Sequence, residues 1–296
     1  MTATDMAETG ESVTTASSSP PETTTDCCER ELPPTKMLYM TYEGNWLTEC
    51  KAQVLSVQKQ ENRVVEVCLD QTVMHAQGGG QPTDVGQLFV LREDVTPAVK
   101  VDKVIIDRDT GVAKHTGTMV QGAIDLEPGD TVKVAIDTEM RRILSECHSA
   151  GHVVDSAMAA CGKTFKPSKA YHFLESPYVE YEGTVPADER DRLLQDLQTS
   201  FCHLVNQDIP TKIELMSKGE ADALCNRQAQ NFDMDVFADK RTNQIRVVTV
   251  AGFPCPCGGT HVKSTADLKK RQWGITGFKS RKGVIRVKYG QGVKPS

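Results

Sequence analysis

From Lys36 to about Asp130 the chain alternates apolar and polar positions in short β-branched runs divided by turn-forming residues: KAQVLSVQ, NRVVEVCLD, GQLFVLRE, AVKVDKVIID and, beyond EPGD, VKVAID. Alternation of period two over such lengths predicts half-buried strands, and several at close spacing predict a small antiparallel barrel or sandwich. At Asp137 the period changes. Met140, Ile143, Leu144, Cys147, Val154 and Met158 recur near helical spacing behind Asp137 and Thr138, which can cap a helix, and Gly162 supplies its stop. A second helix is predicted over 187–206, entered through Pro186 with acids in its first turn. A third, shorter one is predicted in SKGEADALCNR. The runs YVEYEG, TKIELM, IRVVTV and VIRVKYG then supply strands for one antiparallel sheet under these helices. The predicted fold is two-domain: a small antiparallel β-barrel over 36–136, carrying a glycine-rich loop, followed by an α+β domain over 137–296.

Residues 1–35 stand apart. They are rich in Thr, Ser, Glu and Pro, carry seven acids and one base, and offer too few large apolar side chains to offset the entropy of ordering, so a disordered acidic tail is expected. The tail has neither the apolar core of a secretory signal nor the make-up of a mitochondrial presequence, and no apolar run suits a membrane span. The expectation is a cytoplasmic protein without a membrane partner, its oligomeric state open with a monomer favoured. Ten cysteines, most of them single inside apolar segments, read as buried thiols in a reducing compartment rather than a disulfide set.

The net charge of −6 conceals a division along the chain. Residues 263–296 carry ten bases against Asp267 alone. Lys279, Arg281, Lys282, Arg286 and Lys288 cluster around the strand-like GVIRVKYG. That block is either a solvated edge or a surface for a polyanion.

Two segments carry candidate chemistry. In ECHSAGHVVD, His148 and His152 lie four apart on the predicted helix, stacked one turn from each other, where two imidazoles can share an ion. Gly151 between them costs roughly 1 kcal/mol against alanine in a helix interior, which implies that something approaches the backbone there. In PCPCGGTHVKST, Cys257 and His261 form CxxxH, with Gly258 and Gly259 letting the chain turn back on itself. One thiolate and three imidazoles make a four-donor set suited to tetrahedral Zn(II), one per chain. Cys255 is an alternative thiolate, disfavoured because Pro256 and the glycines bend the chain. His75, His115, His172 and His203 read individually as surface or satisfied core residues, His75 drawing notice because it adjoins the glycines. That loop, HAQGGGQPTDVG, is either a flexible hairpin or a functional stretch of bare backbone, and it fits no dinucleotide or P-loop spacing.

HxxxH on a helix, CxxxH about a hundred residues later and a preceding barrel bearing GGGQPTD together resemble the editing domain of alanyl-tRNA synthetase, and more closely its free-standing relatives, the AlaX-type trans-editing proteins of medium length. LDQTVMHAQGGGQPTDVGQL, HSAGHVVDSAM, PYVEYEGTVP and GFPCPCGGTHVKST carry the similarity, which leaves only the acidic tail outside. The resemblance implies a zinc site of His148, His152, Cys257 and His261 in a cleft receiving the 3′ end of an aminoacylated tRNA. By motif position it implies that Thr72 and Gln81 read the amino acid and assist hydrolysis, with Gly79 and Gly80 in the facing loop. Met74, His75 and Ala76 depart from the family's aromatic-containing FYP.

The activity implied is hydrolysis of the ester in Ser-tRNA(Ala), with Gly-tRNA(Ala) as a further substrate, and no ATP-dependent ligase site. Zinc would supply Lewis acidity or a nucleophilic hydroxide, and amides of Gly78 to Gly80 an oxyanion cradle. Lys279, Arg281, Lys282, Arg286 and Lys288 become the expected phosphate surface for tRNA. Two alternatives are a zinc-stabilised RNA-binding protein without turnover, and editing of another ester such as Ser-tRNA(Thr).

Overall fold

The computed structural model describes residues 31–92, 94–228 and 232–293. The expected tail therefore lies almost wholly outside the described residues, but its boundary shifts. Thr35 is buried, its Oγ1 donating to Leu69 O at 2.8 Å and accepting from Ala113 N at 3.0 Å. The chain is thus tied into the fold before Lys36.

Strands β1 (Lys36–Met37), β2 (Glu49–Lys59), β3 (Val64–Leu69), β4 (Gln71–Thr72), β5 (Gly86–Leu91), β6 (Val95–Ile106), β7 (Ala113–Met119) and β8 (Thr131–Ile136) make up the first half. Six of them close an antiparallel barrel in the order β2-β3-β7-β6-β5-β8, while β1 and β4 form a short parallel pair beside it. The alternating run of β8, TVKVAI, buries Val132 and Val134 and turns Lys133 outward, as period two requires. The inward residues of the six strands, mostly valine, fill the barrel together with Leu88, Leu126 and Met74. Strand β7, AKHTGTM, escapes a hydrophobicity pattern because its inward positions are Ala113, His115 and Gly117.

Beyond the barrel come α1 (Thr138–Ala160), β9 (Lys166–Tyr171), β10 (Tyr178–Glu182), α2 (Arg190–Asn206), β11 (Lys212–Ser217), α3 (Lys218–Cys225), α4 (Met234–Phe237), β12 (Gln244–Val250), β13 (Phe253–Pro256), β14 (Gly274–Arg281) and β15 (Val284–Gly290). Asp137 caps α1 through its side chain, which accepts from Met140 N at 2.9 Å. Ser217 and Glu220 form a reciprocal capping box on α3. The strands do not form the one sheet expected. They divide into a four-stranded sheet, β14-β15-β10-β9, and a three-stranded one, β11-β12-β13. The helices α1 and α2 bury Ala150, Val154, Leu197 and Phe201 against Ile275, Ile285 and Val287 of the larger sheet. A smaller cluster under α3 holds Ala221, Cys225, Ile245 and Val247.

From Leu32 onward the described chain forms one compact unit, so the boundary expected at 136/137 falls inside it, between β8 and α1. A buried ion pair spans that junction. Arg141 on α1 donates from Nε to both carboxylate oxygens of Asp84 at 2.9 Å, and Nη2 reaches Asp84 Oδ2 and Val73 O. Asp84 Oδ2 also accepts from His75 N at 2.6 Å, which anchors the glycine-bearing loop at both ends. No described helix is long and apolar enough to cross a membrane.

Candidate metal centre

Helix α1 carries His148 and His152 on one face, and the turn after β13 carries Cys257 and His261. The ligand atoms of these four residues all lie within 4.8 Å of one another. The approach is built by the sequence on both sides. Strand β13 is an edge strand, where Pro254 and Pro256 cost no ladder hydrogen bond, and it delivers Cys257 directly beside α1. The segment expected to bend at Pro256 is a strand up to that residue, and Cys255 stays outside the donor group. Gly151 meets the demand anticipated for it: a Cβ there would stand 2.5 Å from His172 Cε1 and 2.9 Å from Tyr289 Oη.

Two edges of the donor set match a tetrahedral ion, and all of its ligand atoms lie within 4.8 Å of one another. Cys257 Sγ lies 3.4 Å from His148 Nε2 and 3.4 Å from His261 Nε2. Zinc bonds of about 2.0 to 2.3 Å place sulfur and nitrogen vertices about 3.5 Å apart, so these are tetrahedral edge lengths. His152 Nδ1 is buried without a hydrogen-bond partner, and Asp155 Oδ2 stands 3.9 Å from it. An ion or that carboxylate would satisfy it. Burial first, then the neighbouring imidazoles, holds His148 and His261 well below the ordinary histidine range; burial holds His152 down to about 4. All three are therefore neutral near pH 7, the form that ligates. Burial raises the Cys257 thiol, partly offset by the Arg246 guanidinium, whose Nη1 donates to Cys257 O at 2.7 Å.

The second layer around the donors comes from distant parts of the chain. Gln81 Oε1 accepts from His148 Nδ1 at 2.6 Å and from Thr260 N at 2.9 Å, while its Nε2 donates to Thr260 Oγ1 at 2.9 Å. This fixes the tautomer of His148 with Nε2 facing Cys257, the arrangement that metal-binding imidazoles use. Asn45 grips the backbone of His261 from both sides, its Nδ2 donating to His261 O at 2.8 Å and its Oδ1 accepting from His261 N at 3.2 Å. Trp46 Nε1 donates to the same carbonyl at 3.0 Å, and Ser149 Oγ lies 3.3 Å from His261 Nδ1. His172 stacks on His148 with ring centroids 4.2 Å apart and pairs with Tyr289 Oη at 2.5 Å. Ser149, Asp155 and Thr260 lie inside the motifs quoted above, but their roles, like those of Asn45, Trp46, His172 and Tyr289, are visible only from their positions after folding.

The glycine-rich loop closes as a two-residue turn. Gly78 and Gln81 exchange backbone hydrogen bonds of 3.2 and 2.9 Å, and Gly79 and Gly80 take φ of 57° and 79° between them. The amide of Gly78 is thereby committed to Gln81 O, which removes it from the expected cradle. Those of Gly79 and Gly80 donate to no backbone acceptor among the described residues. The turn docks on the other half of the protein, with His172 N donating to Gly80 O at 2.9 Å.

Thr72 makes no hydrogen bond to any of the four donors. It is fully buried, with Oγ1 accepting from Met74 N at 3.1 Å and paired with His115 Nε2 at 3.0 Å. His115 Nδ1 faces Val67 O at 3.1 Å and so carries the ring proton, which makes Thr72 the donor to Nε2 and leaves one lone pair on its oxygen. His75 and His172 are satisfied buried residues rather than ligands. Lys279, Arg281 and Lys282 are exposed, and Arg286 and Lys288 half-buried, on and around the β14–β15 hairpin. Arg286 Nε is paired with Glu180 Oε1 at 2.7 Å. A hollow of about 540 Å³ lined by Lys59, Arg63, Met119 and Asp125 contains none of the donors.

Residues 245–288, which include Cys257, His261 and the basic hairpin, match the family described as the threonyl and alanyl tRNA synthetase second additional domain. The chain is similar to alanine–tRNA ligases over most of its length. It is 30% identical over 243 residues to that of Halobacterium salinarum, covering 80% of this chain and 24% of the relative. It is 28% identical over 217 residues to that of Streptomyces avermitilis, covering 70% and 22%. It is 30% identical over 214 residues to the chloroplastic/mitochondrial protein of Arabidopsis thaliana, covering 71% and 21%. The chain spans about a quarter of the length of the Halobacterium relative and a little less of the other two. It is thus related to one region of the alanine–tRNA ligases, the region that holds this second additional domain.

Proposed function

We propose that the protein is a zinc-dependent deacylase that hydrolyses the ester of mischarged Ser-tRNA(Ala), with Gly-tRNA(Ala) as a further substrate, acting as a free-standing AlaX-type editor. The observation that carries this reading is the convergence of three imidazoles and one thiol, Cys257 only partly buried, with a glycine turn joined to them through Gln81. A purely structural clip needs no such turn from the barrel. Zinc, when bound, supplies Lewis acidity at the ester.

Aminoacyl esters are reactive, so positioning suffices for much of the acceleration. Gln81 holds His148 and Thr260 in register, and the Gly79 and Gly80 amides are the backbone donors offered to a developing oxyanion. Thr72 enters as the group that detects the serine hydroxyl through its remaining lone pair. Recognition of that hydroxyl is the side on which discrimination is strong, because a site that hydrogen-bonds a substrate hydroxyl rejects the analogue lacking it. Thr72→Val should lower Ser-tRNA(Ala) hydrolysis with zinc content unchanged; unaltered turnover removes Thr72 from the role.

The closed, mostly buried four-donor geometry favours one alternative, an RNA-binding protein in which zinc only holds the fold. Purified protein incubated with Ser-tRNA(Ala) and Ala-tRNA(Ala), with and without a chelator, separates the two. The deacylase releases serine far faster than alanine and loses this on chelation. Absence of serine release by the zinc-loaded protein refutes it.

A further inference from the structure

We propose that the outer face of the four-stranded sheet is a stacking platform for the unpaired 3′ end of an RNA; that this RNA is an aminoacylated tRNA rests on the reading above. The face carries a row of near-parallel rings. Tyr178 on β10 and Tyr171 on β9 are direct cross-strand partners with centroids 5.5 Å apart and planes inclined by 20°. Tyr171 stacks in turn on Phe173 at 4.6 Å and 13°. The Arg286 guanidinium covers the other end, its Cζ 4.1 Å over the Tyr178 ring. None of the three rings packs against the hydrophobic clusters of the protein. They are half-buried against one another instead, with no core to account for them.

Charge surrounds the row. Lys169 lies over Tyr178 at 5.9 Å, and Lys288 is the cross-strand neighbour of Tyr178 on the opposite side. Lys279 and Arg281 continue the same face on β14, opposite Arg286 and Val284. The carboxylates among them, Glu180 and Glu182, are each held by a base, Arg286 and Lys166. Lys279, Arg281, Lys282 and Lys288 have no acidic partner among the described residues, so the face keeps uncompensated positive charge. Aromatic faces interleaved with cations are what a single strand needs, since any base offers a π-face and each phosphate a charge.

The row also leads somewhere. It ends at β9, the edge strand of the sheet, and Phe173 is separated from Tyr171 by His172, whose ring turns inward to stack on His148. Arg286 fills one end of the stack, so a base extends it at the Phe173 end, beside the edge strand that leads into His172 and its contact with His148. A strand following the platform is carried round that edge toward the metal centre.

The test uses the full, zinc-loaded chain and two labelled RNA hairpins of one acceptor-stem sequence, one with an unpaired 3′ extension and one blunt, titrated by fluorescence anisotropy at each of several fixed salt concentrations. Phe173→Leu and Tyr171→Leu should weaken binding of the extended hairpin about tenfold while leaving the blunt one unchanged. Phe173→Tyr should bind as the wild type, and Lys288→Ala should weaken both hairpins and flatten the salt dependence. Thermal melts and zinc content separate loss of fold from loss of stacking, and Phe173→Tyr against Phe173→Leu keeps the comparison valid if Tyr171→Leu does not fold. Equal loss on both hairpins, wild-type affinity in the Phe173→Leu protein, or no binding of either RNA by the wild type overturns the platform. A wild type that distinguishes the hairpins but releases no serine keeps the platform and removes the deacylase reading; the converse pattern does the opposite.

Discussion

Substituting Gly259 by alanine tests the metal centre through a single added carbon. A Cβ at this position would lie 2.1 Å from His148 Cε1, 2.2 Å from His148 Nδ1 and 2.6 Å from Gln81 Oε1, where ordinary contact begins near 3.4 Å. The His148 ring must therefore retreat by more than about 1 Å, whereas metal–ligand distances tolerate shifts of about 0.2 Å. Gln81, which orients the same ring, is pushed in the same event. Disturbing an orienting partner alone typically lowers metal affinity about 10- to 100-fold, roughly 1.4 to 2.8 kcal/mol, and here the ligand moves too. Gly258→Ala is the control. A Cβ there meets nothing within 4 Å, and neither glycine takes a left-handed φ, so backbone strain is equal in the pair. Competition of each variant with a chromophoric zinc chelator should show Gly258→Ala within about twofold of the wild type and Gly259→Ala weakened by at least the lower bound. Equal zinc affinity in the two variants would refute the placement of His148 against the Cys257 turn.

Three further outcomes are expected. Gln81→Leu leaves His148 Nδ1 and Thr260 N without their acceptor in a buried site, so zinc affinity should fall about tenfold or more; metal content equal to the wild type after dialysis would show that His148 needs no orienting group. Asp84→Ala strands the Arg141 guanidinium in the interior, a loss of about 3 to 5 kcal/mol in urea unfolding, and a cost below about 1 kcal/mol would deny that the pair is buried as described. Burial holds His115 down to about 4, against an ordinary value of 6.5. The unfolded chain takes up that proton first as pH falls, so the stability linked to His115 is complete above pH 6.5 and is lost on descent toward about 4, roughly 3 kcal/mol in all. His115→Gln, neutral throughout, should flatten the acid side of the stability profile by about that amount, and an unchanged slope would show that His115 is not buried neutral.

Local information settled much of this protein. The period-two runs reported five of the six barrel strands, because a strand with one buried face must alternate. The change of period at Asp137, with the cap it provides, located α1, and His148 and His152 were set on one face by helical pitch alone. The CxxxH turn was readable because two adjacent glycines beside two donors have few other uses. Strand β7 was not readable, since its inward positions are Ala113, His115 and Gly117 rather than large apolar residues. Nor was the division of the later strands into two sheets, because alternation shows that a strand has a buried face and not which strand lies beside it.

The site divides in the same way. Residue type and spacing named four donors, but that they meet depends on β13 running along α1, a pairing between segments about a hundred residues apart. Gln81 shows the difference most directly: motif position marked it, and only the folded chain assigned it to orienting His148 and Thr260, across separations of 67 and 179 residues. Asn45, His172 and Tyr289 are chemically ordinary in the chain and acquire meaning through proximity. Short-range patterns are written by the local backbone, which repeats every two or 3.6 residues, and so the sequence alone determined five of the six barrel strands, the longer helices and four candidate donors. Hydrogen bonds and packing at long separation follow no period, and the convergence of those donors, the partners that aim them and the aromatic row beside them were decided only by tertiary structure.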